Sequence, residues 1–224
     1  MTKKGFIFDL DGVIVDTAKY HFLAWRKLAN GLDIDFTEEE NEQLKGVSRI
    51  KSLEKILDWG NKTISQEQFT DLMAKKNEDY LGYISNMDAS EILPDVNRVL
   101  NYLTEKKQPI SLGSASKNAR PILEKVDLLS LFDAIVDGND VTKAKPDPEV
   151  FIIGSELLNI ELEHCVVFED SVAGIQAANN ANMLSIGIGD ADTLNEADYV
   201  FKDFTEMADD FLEKVISGEI VKRN

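Results

Sequence analysis

From residue 96 onward the chain alternates short, almost wholly apolar runs with segments of helical period. That alternation constrains the fold more than any other feature. The apolar runs fall at 109–113, 133–136, 165–168, 184–188 and 199–201, and helical patterns at 96–106, 118–126, 148–158, 173–181 and 204–216. Strands that are apolar throughout, rather than at every second residue, are buried on both faces. Such strands belong to parallel sheets covered by helices. Residues 5–9 have the same texture, so they join the same sheet as its first strand. Between the two parts, 16–87 reads as helical, with Tyr20, Trp25 and Leu28, then Leu53, Ile56 and Leu57, then Phe69, Leu72 and Met73, then Tyr80, Leu81 and Ile84 at helical spacing. Residues 30–40 are acidic and read as a surface loop. The expectation is a Rossmann-like α/β core of residues 1–16 and 88–224, with an α-helical cap of residues 17–87 inserted after strand 1.

Composition narrows the partners. The 224 residues carry a formal net charge of −17. A surface this acidic argues against nucleic acid and against an anionic membrane. No run approaches the roughly 20 apolar residues of a membrane span. The start, Met1-Thr2-Lys3-Lys4-Gly5, leads into an apolar run too short for a secretion signal. The single cysteine, Cys165, lies within an apolar run and reads as a buried strand residue, so a reducing, cytoplasmic setting is expected.

In open parallel sheets ligands bind beyond the carboxyl ends of the strands. That rule nominates Asp9, Ser114, Asp137 and Glu169-Asp170. Asp9 and Asp11, in Phe8-Asp9-Leu10-Asp11-Gly12-Val13, place like charges side by side where no core requires them. A hard cation resolves this, and Mg²⁺ suits the side chain of Asp9 with the backbone carbonyl of Asp11. Glu169 and Asp170 add carboxylates. Without a cation the group raises its own pKa values by repulsion. A solvated acidic turn is the alternative for either pair alone. Ser114 precedes a helix start, where a hydroxyl and free N–H groups bind phosphate oxygens, or where a serine simply caps the helix. Lys145, restricted to an extended backbone by Pro146, is placed either over a phosphate or in solvent.

Taken in order, Asp9-x-Asp11-Gly12, Ser114, Lys145-Pro146 and Glu169-Asp170-Ser171-x-x-Gly174 resemble the haloacid dehalogenase-type phosphotransferase superfamily across the whole chain. The resemblance implies Asp9 as a nucleophile that becomes an aspartyl phosphate and Asp11 as general acid/base. Ser114 and Lys145 would hold the transferring phosphoryl group. Mg²⁺ would be bound by Asp9, Asp11 and Asp170, with Glu169 as ligand or outer partner.

Within the insertion, His21-Phe22-x-Ala24-Trp25, Leu44-Lys45-Gly46-Val47-Ser48-Arg49 with Ser52, and Lys76-x3-Tyr80 resemble the sugar-phosphate mutase branch, as does Ser114-Ala115-Ser116-Lys117-Asn118. That resemblance implies a second phosphate site at Arg49, Lys117 and Asn118, beside Ala115 and Ser116. It also implies a sugar-facing wall of Lys45, Gly46, Ser48 and Ser52, and a gating pair of His21 and Lys76. The bland alternatives are a structural His21, a solvated Lys76, an Arg49 paired with Glu42 or Glu54, and a Trp25 that is only core. The expected substrate is a small sugar phosphate, transferred to a sugar hydroxyl or, in the phosphatase alternative, to water. A closing cap suits a monomer. Asn139-Asp140 brings polar groups near the site without a role, as does His164 before its strand.

Overall fold

The computed structural model describes residues 3–223; Met1, Thr2 and Asn224, at the ends of the expected core segments, lie outside them. Six parallel strands form one sheet: β1 (Gly5–Phe8), β2 (Ile110–Gly113), β3 (Ala134–Val136), β4 (Cys165–Glu169), β5 (Leu184–Ile188) and β6 (Tyr199–Phe201), in the order β3-β2-β1-β4-β5-β6. Phe6, Ile7 and Phe8 pair with Val166, Val167 and Phe168 on one side and with Ile110, Ser111 and Leu112 on the other. Strand order reverses between β1 and β4, and there the crevice for a ligand opens.

The apolar texture of the strands has a direct cause. Phe6, Phe8, Val166 and Phe168 point into one core layer, while Ile7, Cys165 and Val167 point into the other. Phe8 stacks on Phe168 with ring centroids 4.4 Å apart. Cys165 is buried, and desolvation pushes its thiol up to about 11, which leaves it an inert core residue. Helices α5 (Val96–Glu105), α6 (Ala119–Lys125), α7 (Glu149–Leu158), α8 (Val172–Asn180) and α9 (Asp209–Ser217) cover the two faces. Among the described residues no helix is long and apolar enough to cross a membrane.

The last helix is shorter than the pattern at 204–216 predicts. Phe204–Glu206 is a 3-10 turn capped by Asp203, and α9 starts only at Asp209. Phe204 packs against Phe8 and Phe168. Met207 N closes the turn on the Phe204 carbonyl at 3.1 Å, the Met207 carbonyl has no helical partner, and Arg98 donates to both carbonyls, at 2.9 and 2.7 Å. Nothing local in 204–216 announces this, because the donor comes from α5.

Four helices lie between β1 and α5: α1 (Ala18–Asn30), α2 (Glu38–Glu42), α3 (Arg49–Trp59) and α4 (Gln66–Ile84). They close around their own apolar cluster of Trp25, Leu28, Leu53, Ile56 and Leu57. Residues 30–40 are not merely a surface loop. Ile34 and Phe36 are buried in that cluster, and Thr37 with Glu40 forms the capping box of α2. Ala24, Tyr80, Ile84 and Met87 pack instead against Val13, Ile14 and Val15, which seats the insertion on the sheet.

Phe168→Ala removes the ring that joins β1, β4 and the 3-10 turn. It should cost about 3–5 kcal/mol in urea unfolding, whereas truncating the exposed Leu157 to Ala should stay within about 0.5 kcal/mol. Equal losses would contradict this packing.

Candidate active site

Asp9 is the first residue past β1. Its N–H donates to the Phe168 carbonyl at 3.0 Å, which pins it where strand order reverses. Its carboxylate is buried, and Lys145 Nζ donates to its Oδ1 at 2.5 Å. The same ammonium donates to Glu169 Oε1 at 2.5 Å and to the Gly113 carbonyl at 3.1 Å. Its three donors are thereby used, and Lys145 is not a solvated side chain. Burial alone would discharge Lys145, but Asp9 and Glu169 overrule it and hold its pKa above the usual lysine range. Burial also pushes Asp9 up to about 7, against the pull of Lys145 and with help from Glu169 and Asp11. Asp11 and Asp170 are raised as well, again first by desolvation. The expected rise is therefore present, but loss of water contributes more to it than repulsion.

Glu169 turns inward. Its Oε2 accepts from Ser171 N and Ser171 Oγ, both at 2.9 Å, so both oxygens are engaged and it orients Lys145 and the start of α8. The Asp11 carboxylate faces the insertion, with Oδ1 accepting from Thr17 Oγ1 and lying 3.9 Å from His21 Nε2. Asp170 Oδ2 lies 3.5 Å from Lys45 Nζ, which also pairs with Glu42 at 2.8 Å.

The insertion closes over this centre. Gly46 has φ +69°, and a Cβ there would run into Ser171 Oγ, so only glycine lets the Lys45–Ser48 loop lie on the start of α8. Lys76 is buried between the rings of Trp25 and Tyr80, 4.6 and 4.7 Å from their centroids. Its Nζ lies 3.0 Å from His21 Nδ1. Desolvation and nearby Arg49 lower Lys76 to about 7, and desolvation with Lys76 and Arg49 keeps His21 well below its ordinary value. His21 and Lys76 thus form one pair, and Trp25 serves both the core and this pair.

A cleft of ≈ 550 Å³ runs from Asp9 and Asp170 to Arg49, Lys51, Lys117 and Lys143. Ser52 is buried in its wall on the insertion side, and Ala115, Ser116, Lys117 and Asn118 line the sheet side. Ser114 does not cap α6. Its Oγ accepts from Ser116 N at 3.1 Å, and Ser116 Oγ accepts from Asn118 N at 3.2 Å, which winds the loop tightly. Asn118 reaches across to Asn77 at 3.1 Å. Glu42 is taken by Lys45 and Glu54 by Lys51, at 2.8 and 2.7 Å. Among the described residues Arg49 has no carboxylate partner.

A divalent cation fits this donor set only in a particular way. Among the described residues no three His, Cys, Asp or Glu side chains form a metal cage. With both oxygens of Glu169 engaged and Asp11 turned to Thr17, Asp9 and Asp170 each keep one oxygen, Oδ2 and Oδ1, without a protein partner among the described residues. Mg²⁺ is held by one or two carboxylates plus waters and substrate phosphate, so a two-carboxylate site suits it. Thr17 and Asn77 make contacts that the sequence did not reveal. Asn77 sits beside Lys76, but nothing in the chain pairs it with Asn118, 41 positions away.

This chain belongs to the haloacid dehalogenase-like hydrolase family, whose model matches residues 3–182. Within it, the chain is 40% identical to the β-phosphoglucomutase of Bacillus subtilis over 215 residues, covering 94% of each chain. The crystal structure of β-phosphoglucomutase from Clostridium difficile matches with a TM-score of 0.92 at 38% identity, over 98% of this chain and 99% of that one. A phosphorylated carbohydrates phosphatase of Thermotoga maritima is 31% identical over 182 residues, covering 79% of this chain and 81% of that protein.

In the unfolded chain Lys76 titrates in the ordinary lysine range; in the folded chain it titrates at about 7. Between those values the unfolded state binds the extra proton, so this group makes stability rise with pH. Below that window both states hold the proton and its contribution is flat. The unfolding midpoint of the wild type should climb relative to Lys76→Met between about pH 7 and pH 10. Parallel curves would contradict a Lys76 whose pKa burial lowers in the folded chain.

Proposed function

We propose that this protein is a Mg²⁺-dependent β-phosphoglucomutase. It interconverts β-D-glucose 1-phosphate and glucose 6-phosphate through an aspartyl phosphate on Asp9 and a sugar 1,6-bisphosphate. The observation that carries this reading is a group of cationic and amide side chains that lines the cleft across from the Asp9 centre. Arg49, with no carboxylate partner among the described residues, approaches from the insertion, and Lys117 and Asn118 approach from the loop after β2. A sugar bisphosphate bound in either orientation needs both ends held, and a guanidinium grips phosphate in bidentate fashion. A phosphatase of small substrates has no use for the far end.

Asp9 attacks phosphorus, forming an oxygen–phosphorus bond as the bond to the sugar oxygen breaks. Asp11, whose pKa is raised above the usual carboxylate range by desolvation, gives a proton to the departing oxygen. In the other half-reaction it takes a proton from the 6-hydroxyl of β-glucose 1-phosphate as that oxygen attacks the aspartyl phosphate; the bisphosphate so formed rebinds in the opposite orientation before Asp9 attacks its 1-phosphate. Lys145 and Ser114 hold the transferring group, and Ala115 and Ser116 line its approach. Glu169 keeps Lys145 charged and aimed. Asp9, Asp170 and the Asp11 backbone would hold Mg²⁺, which when bound offsets charge on the phosphoryl oxygens.

We take residues 17–87 as a cap over a core of 1–16 and 88–224. Lys45, Gly46, Ser48 and Ser52 are its sugar-facing wall, and His21–Lys76 is the pair that senses closure. Closure favours the sugar over water because a held hydroxyl reaches effective molarities of about 10⁵–10⁸ M once bulk solvent is excluded. One chain contains every proposed site residue, which suits a monomer, and a lone buried cysteine suits the cytoplasm.

With Mg²⁺, β-glucose 1-phosphate and catalytic bisphosphate, the enzyme should form glucose 6-phosphate. Release of free phosphate without the isomer would instead favour a sugar-phosphate phosphatase, as the Thermotoga maritima relative is described. Asp9→Asn should lower turnover by roughly 10⁴-fold or more, and substantial residual turnover would sink the nucleophile assignment. Arg49→Ala should lower kcat/KM for the mutase reaction about 10- to 150-fold, the worth of one charge-assisted contact, and leave aryl phosphate hydrolysis far less affected.

A further inference from the structure

The loop after β3, residues 137–140, takes no part in the chemistry above, yet it grips the loop that carries Ser116, Lys117 and Asn118. Gly138 N donates to the Ser116 carbonyl at 3.1 Å. Asn139 Nδ2 donates to the Lys117 carbonyl at 3.1 Å. The contact is close, since a Cβ on Gly138 would run into the Ala115 carbonyl. In a planar trans peptide the C=O and the following N–H point in opposite directions. Drawing the Ser116 carbonyl toward residues 137–140 therefore turns Lys117 N–H away from them, and among the described residues that N–H meets no acceptor. Two carbonyl oxygens that would repel a phosphate are held back, and a donor beside the Lys117 ammonium is left free.

Asp137 anchors this arrangement. Its side chain is 2% exposed. Its Oδ1 accepts from Asn139 N at 2.8 Å and from Asn139 Nδ2 at 2.9 Å, and its Oδ2 faces Arg120 Nε at 3.3 Å. Arg120 reaches on to Asp140 Oδ2 and to the Ile135 carbonyl, at 3.2 and 3.0 Å. Asp140 Oδ2 in turn accepts from Asp137 N at 2.9 Å. A buried carboxylate held on both oxygens fixes the Asn139 amide, and that amide fixes Lys117.

We propose that Asp137 and Asn139, braced by Arg120, are positioning residues for the second phosphate of a sugar bisphosphate, because they set the backbone that presents Lys117 to it. This rests on the mutase reading, in which Lys117 binds that phosphate. Asn139 is exposed, so Asn139→Ala removes the amide with little risk to folding. Asp137→Asn is the companion variant, keeping the shape but dropping the charge that holds Arg120.

Binding of glucose 1,6-bisphosphate is measured in an Asp9→Asn background, where no phosphoryl transfer interferes. Aryl phosphate hydrolysis, which uses only the Asp9 end of the cleft, is measured with Asp9 intact. Asn139→Ala should weaken bisphosphate binding about tenfold, and Asp137→Asn at least as much, while aryl phosphate hydrolysis stays within about twofold. Unchanged bisphosphate affinity, or an equal loss on both substrates, would overturn the proposal. The mutase reading fails by a different sign, the absence of glucose 6-phosphate from the wild-type reaction.

Discussion

One ammonium, Lys145, shared between Asp9 and Glu169 in a nearly dry pocket, is the interaction on which the rest of the site depends. Burying three ionised groups is costly, and the cost is offset only where the charges meet at hydrogen-bond distance and spare valences are filled. Here β1, β4 and the 145–148 turn bring them together, and the Gly113 carbonyl and Ser171 complete the set. The same desolvation that makes the cluster costly keeps Asp9 and Asp11 above their ordinary values.

The insertion supplies what the sheet cannot. Its own apolar cluster makes it a packed unit, while Tyr80, Ile84 and Met87 seat one end on the sheet. Contact with the centre is polar and sparse, through Thr17 and His21 on Asp11, Lys45 on Asp170, and Asn77 on Asn118. At the other end Lys19 and Tyr20 reach Glu91, and Lys125 reaches the Ser85 carbonyl. Lys76, cationic or neutral near pH 7 and wedged between two rings, lies where a change of solvation is felt most.

Much of this was legible in the chain, for identifiable reasons. The six strands show because burial on both faces leaves no polar alternation, and Asp9, Ser114 and Glu169-Asp170 show because they end strands. Errors arose wherever a distant partner decides the local outcome. The helical period at 204–216 conceals a break that Arg98, on α5, makes tolerable. The acidic surface of residues 30–40 conceals Ile34 and Phe36, which turn into the cluster of the insertion.

The sequence by itself determined the class of sheet, the inserted helices and the kinds of group gathered at the strand ends, since periodicity and strand-end position are local properties. Only the tertiary structure decided what each group does once gathered. Glu169 holds Lys145 while Ser171 takes its other oxygen, and among the described residues Arg49 has no carboxylate partner, since Lys45 and Lys51 take Glu42 and Glu54. Asn139, without a role when read along the chain, holds the Lys117 carbonyl. Hydrogen-bond valence is finite, and which oxygen each donor reaches is settled by packing across scores of residues, which no local pattern records.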